Sequence, residues 1–428
     1  MNRKDFFKAG HWPTLLAAFL YFDVSFMVWV VLGPLAVYLT QDFNLSIEEK
    51  FGLVAIPILS GALLRVPMGM FADHIGPKRA GQTGQIIIIA ALLYAWLFGL
   101  HTLAAVQIFG VLLGFAGASF AVAIPQASRW YPPHYQGIVL GIAGAGNSGV
   151  VLAALLVPWF AENFGWQNVF GFLLIPVVLV FILYSIMAKD APDERAPVTL
   201  KNYGLVLSDP DTWWFMFFYS ITFGGFVGLA NALPLYFSTW YHASGIAAGL
   251  MVALVVAAGS MFRPVGGWLA DRIGGIRALQ ILFVVVALCY FSIAFLPEGP
   301  APAELAASGS KIPGWGFFEL PPIAWLAVSI FFIGALALGM GNGAVFQLVQ
   351  LRFRREMGII TGLVGAAGGI GGFFLAKTLG WSKGITGDFA AGFWLFAGLA
   401  LIGLIGLIWV KSRWRTTWGA STVTTAKV

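Results

Sequence analysis

GALLRVPMGMFADHIG at residues 61–76 and GSMFRPVGGWLADRIG at residues 259–274 are two copies of one segment. Gly61/Gly259, Arg65/Arg263, Gly69/Gly267, Ala72/Ala270, Asp73/Asp271, Ile75/Ile273 and Gly76/Gly274 pair at a constant offset of about 198 residues, so the chain is built from two related halves. In each copy one arginine interrupts an apolar stretch, and an aspartate lies in the loop that ends it. A lone charge at the centre of a membrane helix costs roughly 2.5–3.5 kcal/mol on insertion scales. Two arginines placed symmetrically at that cost call for a compensating function, and an anion bound between the halves supplies one.

Composition sets the environment. Of the 428 residues 59% are hydrophobic and 10% charged, against roughly 25% charged in a soluble domain. Apolar runs long enough to cross a bilayer fall near 12–39, 51–72, 80–100, 103–127, 136–161, 168–188, 211–237, 246–270, 277–297, 322–350, 358–380 and 388–411. The predicted fold is therefore an all-α membrane protein of twelve transmembrane helices in two pseudo-symmetric six-helix bundles. Residues 1–188 form the first bundle, and residues 211–428 form the second with a tail. Between them, residues 189–210 contain KDAPDERAPVTLKNYG, whose prolines and mixed charges read as a connector. The stretch Pro297 to Pro322, rich in Pro, Gly and Ser, reads as a loop on the outer side. The first apolar run is too long for a signal-peptide core and no small-residue cleavage site follows it, so it is expected to stay as the first span.

An even number of spans puts both termini on one side, and the basic residues select which. Arg3, Lys4, Lys8, Lys78, Arg79, Arg129, Lys189, Arg195, Lys201, Arg272, Arg277, Arg352, Arg354, Arg355, Lys411, Arg413 and Arg415 share the side of the termini. Lys50, Lys311, Lys383 and Lys377 fall opposite. By the positive-inside rule both termini and the connector are expected in the cytoplasm. The same distribution accounts for the net charge of +6 without nucleic acid, because the cations lie between apolar spans and not on one soluble face. Cys289 is the single cysteine, which excludes a disulfide framework or a cysteine metal cluster. His11, His74, His101, His134 and His242 are scattered near span ends, with no H-E-x-x-H or G-x-S-x-G, so no metal, cofactor or enzymatic constellation is expected.

Two six-helix halves, repeated segments and G-x-x-x-D-x-x-G-x-[KR] loops resemble the major facilitator superfamily. The loops read Gly69, Asp73, Gly76 and Lys78, with Arg79 beside it, and Gly267, Asp271, Arg272 and Gly274, where Ile276 takes the basic position and Arg277 follows. The resemblance implies a central cavity between the halves and a gating role for Asp73, Lys78, Arg79, Asp271, Arg272 and Arg277. Within the superfamily the chain resembles the nitrate/nitrite porters. The segments that carry this are FDVSFMVWVVLGP (22–34), GALLRVP (61–67), GFAGASF (114–120), GIAGAGNSGV (141–150), TFGGFVGL (222–229), FRPVGG (262–267) and GLVGAAGGIGGFF (362–374). The first and last glycine-rich segments, with Gly144, Gly146 and Gly149 in one half and Gly365, Gly368, Gly369 and Gly371 in the other, look like that family's paired signature. Either alone is equally well read as close helix packing.

The resemblance makes Phe26, Arg65, Phe120, Asn147, Tyr219, Phe223 and Arg263 the substrate contacts. The chemistry agrees: a guanidinium is planar, weakly hydrated and permanently charged, and its forked donors match two oxygens of a planar oxyanion. Phenylalanine walls suit a weakly hydrated monovalent anion and penalise phosphate or sulfate, which are costlier to desolvate. Asp23, three residues before Phe26, reads either as a proton carrier or as a fixed carboxylate bonded to a neighbouring helix. The expected function is movement of nitrate or nitrite through a bacterial cytoplasmic membrane by alternating access, as a monomer. Proton symport is the first reading and nitrate/nitrite exchange the alternative. Glycine-rich spans 5 and 11 are expected to slide against spans 8 and 2. A sensor on a transporter fold usually carries a soluble signalling appendage, and none is seen; a carrier of organic monocarboxylates remains the competitor on physics alone. The peptide/nitrate carriers are disfavoured, since the first span has no E-x-x-E-R.

Overall fold

The computed structural model describes residues 3–132, 135–192, 199–301, 314–353 and 356–418. His134, Arg195, Lys311, Arg354, Arg355 and the tail beyond Trp418 lie outside them. The described residues contain twelve helical spans: Trp12–Leu39, Ile47–Ile75, Pro77–Phe98, Leu103–Ser128, Ile138–Phe164 and Asn168–Met187 in the first half, then Pro210–Trp240, Gly245–Ile273, Gly275–Ile293, Pro322–Arg352, Met357–Thr386 and Ala390–Thr416. They are numbered spans 1 to 12. The largest departure from the apolar runs is at span 11, whose helix continues to Thr386 beyond its hydrophobic stretch. No strand occurs among the described residues; an isolated bridge joins Ala243 to Trp315 and fastens the loop before span 10 to the start of span 8. The connector holds a short helix, Leu200–Leu207, that its prolines gave no reason to expect.

The repeat seen in the sequence extends to backbone detail. Ser46 caps span 2 and Ser244 caps span 8, each at φ −61° and ψ 161°, and each accepts a backbone N–H three residues on. Two residues before those caps, Asn44 and His242 are the non-glycine residues with positive φ, 49° and 51°. At the far ends, Gly76 and Gly274 stop the helices at φ 92° and 97°, a conformation open to glycine, so Asp73 and Asp271, expected in loops, lie in the last helical turns instead. The two halves thus share their turns as well as their spans.

Four spans are broken at mid-depth. Span 1 breaks at Val30–Val31, because Pro34 has no N–H to offer the Val30 carbonyl. Span 4 breaks at Ala118, after Gly117. In span 5 the Ala145–Ser148 stretch tightens to a 3-10 turn. Span 8 breaks at Phe262, because Pro264 at the start of its second segment cannot complete the ladder. Irregular backbone at this depth is tolerated where it lies inside protein, and all four breaks surround the two arginines.

The glycines set how closely the spans approach. A Cβ on Gly149 would lie 1.9 Å from the Asp23 carbonyl oxygen, and one on Gly146 2.7 Å from Phe22, so the glycine-rich part of span 5 rests mainly on span 1. Gly144 faces span 8, 3.4 Å from Arg263 by the same measure. In span 11, Gly369 meets Ala62 of span 2 at 2.6 Å, whereas Gly371 meets the Ser220 carbonyl of span 7 at 2.1 Å. The expected sliding of spans 5 and 11 against spans 8 and 2 therefore describes half of each glycine segment. The other half holds its span to a helix of its own bundle.

The halves pack tightly on one face and more loosely on the other. Away from the termini, Gly245 packs on Tyr38, Gly249 on the Ala154 carbonyl and Pro158, Gly33 on Asn231, Gly380 on Phe51, and Gly384 on Glu48. Toward the terminal face, Gly141 lies one turn from Gly144, and Gly358 and Gly362 lie two turns and one turn from Gly365. A Cβ on any of the three meets no described atom within 4 Å. On that side the packing loosens, although Gly358 still shares a small cavity with Asp73, Ala121 and Arg129 of the first half and Tyr203 of the connector. Gly149→Ala and Gly371→Ala should each lower stability by about 1–3 kcal/mol, because the new methyl meets backbone. Gly141→Ala and Gly398→Ala, which meet nothing within 4 Å, should stay within about 0.5 kcal/mol of wild type. Thermal unfolding of the detergent-solubilised chain checks both expectations.

Candidate functional site: a paired-arginine cage

Arg65 in span 2 and Arg263 in span 8 flank one phenyl ring. Their guanidinium carbons lie 5.1 and 5.9 Å from the centre of Phe120 in span 4. Arg65 is fully buried and also stands 5.3 Å from Trp29 and 5.0 Å from Phe223. Arg263 stands 5.5 Å from Phe346 of span 10. Such cation–π contacts contribute about 0.5–2 kcal/mol each, which offsets part of the burial cost without neutralising either charge.

Hydrogen bonds hold Arg65 on two sides. Its Nε donates to the Gly117 carbonyl at 3.2 Å, an oxygen at the break of span 4. Its Nη1 donates to the Gly365 carbonyl of span 11, across the boundary between the halves. Nη2 of Arg65 and Nη1 of Arg263 are buried without a protein acceptor. None of the ion pairs among the described residues involves either arginine. Each guanidinium feels the other's charge. The Tyr219 hydroxyl is likewise buried without a hydrogen-bond partner among the described residues.

The remaining walls are aromatic. Tyr219 stacks on Phe223 with centroids 5.1 Å apart and touches Phe346 edge-on at 5.1 Å. Phe26 meets Phe223 at 6.3 Å and Trp29 at 5.1 Å, and Phe120 meets Phe346 at 6.1 Å. Asn147, in the 3-10 turn of span 5, is buried with neither amide atom paired. The structure therefore gathers Phe26, Arg65, Phe120, Tyr219, Phe223 and Arg263 into one contact network and places Asn147 close by, its carbonyl 3.4 Å from the Ser260 hydroxyl of span 8. Gly144 and Gly365 leave room for the guanidiniums, and Gly368 leaves room for Tyr219 and Phe223.

Trp29, Phe346 and the two carbonyl acceptors were not expected from sequence, although the repeat signals the side chains. Phe22, Phe26 and Trp29 have the spacing of Tyr219, Phe223 and Phe226, and GASF at 117–120 matches GAVF at 343–346. The correspondence is physical: Gly61 makes room for Trp29, with a Cβ 2.6 Å from the indole, and its partner Gly259 makes room for Phe226 at 2.5 Å. Trp29 is fixed further by its indole N–H, which donates to the Pro57 carbonyl at 2.7 Å.

Asp23 lies outside the aromatic cage. It is buried at the seam of spans 1 and 5, where the Ser148 hydroxyl donates to it at 2.7 Å. It has no ion-pair partner among the described residues. A separate apolar groove of about 810 Å³, lined by Trp96, Phe164, Phe172 and Ile175, includes none of the cage residues.

At the terminal face the loop residues differ between halves. Asp73 pairs with Arg129 at 2.5 Å, and Asp190 accepts the Lys78 backbone N–H at 2.8 Å at the start of span 3. Tyr203 of the connector helix lies near Asp73 and Gly69; burial, then the Asp73 charge, push its phenol up to about 12, so it stays a neutral donor. In the second half Asp271 and Arg277 are exposed and Arg272 rests on Trp268 at 4.2 Å. The ionic hub there is different: Arg352 pairs with Asp209 and, at 2.9 Å, with Asp211, which also receives Arg413 and the Trp414 indole N–H. Lys78, Arg79, Asp271, Arg272 and Arg277 take part in none of the ion pairs among the described residues.

Comparison with known proteins follows the same lines. The sequence profile described as Major Facilitator Superfamily matches residues 15–376. A protein of Mycobacterium tuberculosis named probable nitrate/nitrite transporter NarK2 is 33% identical over 89% of this chain and 91% of its own. The nitrite extrusion protein of Bacillus subtilis is 30% identical over 90% and 91%, and the probable nitrate transporter NarT of Staphylococcus carnosus is 30% identical over 90% and 91%. Among solved structures, the D-xylose-proton symporter superposes with a TM-score of 0.69 at 16% identity, over 92% of this chain and 97% of its own, a likeness of fold. With the twelve-span architecture and the profile match across most of its length, the chain belongs to the major facilitator superfamily and, within it, to the nitrate/nitrite porter family.

Proposed function

We propose that this chain carries nitrate, with nitrite as the alternative anion, across a bacterial cytoplasmic membrane by alternating access. One observation carries the reading: two buried guanidiniums, one from each half, flank the Phe120 ring with no carboxylate partner, and each has a buried N–H without an acceptor. A small planar oxyanion satisfies those donors and offsets the mutual repulsion of the charges. The aromatic lining offers phosphate or sulfate no replacement for its water. The names of the relatives point the same way.

The distribution of basic residues supports a cytoplasmic terminal face, on which reading the tightly packed face is the outer one. The anion binds from outside between Arg65 and Arg263 while the outer seam is open. Neutralised there, the two halves approach, and the outer contacts of spans 1 with 7, 2 with 11 and 5 with 8 form. Only a higher affinity for the closed state drives the change. The Asp73–Arg129 pair and the basic loop residues are the inner gate. The carrier acts as a monomer.

Nitrate import opposes an inside-negative potential by roughly 2.3 kcal/mol per 100 mV. Two co-transported protons reverse the sign of the net charge moved. Asp23 is the proposed proton carrier, as a buried carboxylate without a cation partner. The second reading, nitrate/nitrite exchange, is favoured by the hydrogen bond from Ser148 that holds Asp23 to span 5, since it suits a fixed structural carboxylate.

Arg263→Lys keeps the charge and loses the fork, so nitrate affinity measured by calorimetry should fall about tenfold or more. Arg65→Lys should do the same and also lose the bond to Gly365. Wild-type affinity in both variants would contradict the site. Asp23→Asn should abolish pH-driven nitrate accumulation in proteoliposomes while nitrate binding persists. Accumulation that keeps its dependence on external pH in that variant removes Asp23 from the coupling and leaves exchange as the function.

A further inference from the structure

Lys377 is a cation inside span 11 that neither the paired arginines nor the loops of the terminal face account for. It lies twelve residues beyond Gly365, about 18 Å along the helix, toward the tightly packed face. Gly369, Gly380 and Gly384 share its stripe and pack on Ala62, Phe51 and Glu48 of span 2, so this stripe is the seam between the halves. The Lys377 ammonium reaches into that seam: Nζ lies 3.0 Å from the position a Cβ would take on Gly52. Its one recorded partner is the edge of its own helix, the Trp381 ring at 5.8 Å. No ion pair among the described residues includes it.

Its neighbours are otherwise engaged. Glu49 closes the capping box with Ser46, Glu48 packs on Gly384 two turns farther out, and Lys383 faces Glu298 at 3.9 Å and covers Trp240 at 4.3 Å. Lys50 is on the first turn of span 2. Lys377 is therefore the cation nearest the arginines on this side of the seam, and with the seam closed it lies half-exposed at its rim, beside the exposed Phe374 and Trp381. A charge kept without an acid partner in a mostly apolar span marks an ion path more often than a structural contact. Lysine suits a transient stop, because its compact, strongly hydrated ammonium holds an anion as a point charge without the fork that arginine offers.

We propose that Lys377 is an outer staging site for the transported anion. This inference rests on the transport reading above and deepens it. With the seam open, the ammonium stands in the entry vestibule and raises the local concentration of small monovalent anions. With the seam closed, it folds against Gly52, which has no side chain to block it, and the anion has moved inward to Arg65 and Arg263. Attraction of this kind acts on encounter and is screened by salt.

The test is nitrate uptake by the full chain in proteoliposomes, with ionic strength varied on the face opposite the termini. Lys377→Gln should raise KM about fivefold to tenfold at low ionic strength, leave kcat within about twofold, and flatten the dependence of KM on salt. Lys377→Arg should retain that dependence. Gly52→Asp provides a second route that keeps the lysine: a carboxylate set against the ammonium, in the second turn of a helix where acids are favoured, should reproduce the flattened salt response. If wild type transports and both Lys377→Gln and Gly52→Asp keep its KM and salt dependence, the staging site is overturned and Lys377 is a packing residue. If wild type moves no nitrate, the transport reading falls first and takes this inference with it.

Discussion

Two positive charges held in an apolar enclosure with no negative charge to answer them are the constraint on which this molecule is built. Both guanidiniums lie within 5.9 Å of the centre of one ring. They are thus no more than about 12 Å apart, and at an effective dielectric near 20 they repel by at least roughly 1.4 kcal/mol. The surrounding features each relieve part of that load. Aromatic faces turn toward the charges, the break in span 4 presents the Gly117 carbonyl, and span 11 presents the Gly365 carbonyl at a point where glycine lets its backbone approach. None of these removes a charge, so the largest relief is left for a mobile anion.

The sequence made the paired arginines legible because a charge in an apolar run is conspicuous and because the repeat placed it twice. Span number and order followed from hydropathy for the same reason: in a bilayer every backbone group must be satisfied within its own helix or by its neighbours. The helix breaks were less legible. Pro34 and Pro264 are visible in the sequence, yet proline also sits inside unbroken spans, as Pro57 and Pro67 do in span 2. Tertiary packing decides between the two outcomes. Trp29 and Phe346 were obscured by abundance, since one aromatic among so many gives no sign of which faces inward. The carbonyls of Gly117 and Gly365 were beyond any reading of side chains, because every residue carries one and only the fold selects which point at a charge.

The pseudo-symmetry stops at the terminal face. In the first half an ion pair, Asp73–Arg129, ties the end of span 2 to the end of span 4. In the second half the position equivalent to Asp73 is exposed, and the charge at the end of span 10 turns instead to Asp209 and Asp211 at the start of span 7. The two bundles are therefore fastened to different parts of themselves. The first binds its span 2 to its own core. Among the described residues, the second leaves the end of span 8 outside the ionic hub. If rocking between states is divided unequally between the halves, span 8 and its arginine are the mobile partners, and Arg65 is the fixed one.

The bond from Arg65 to the Gly365 carbonyl gives the pair of halves an internal ligand. One donor of that guanidinium is already engaged by backbone from the opposite bundle, so an arriving ion does not meet a wholly free arginine. It finds Nη2 free and must share Nη1 with a carbonyl that already accepts from it, so its gain at this guanidinium is smaller than two new charge-assisted bonds. On the proposed transport reading, main chain from the opposite bundle competes with the ion for one donor of the site. Such competition lowers affinity, and it also shortens the residence of the ion. For a protein whose task is to release what it binds, fast departure is worth more than a tight grip.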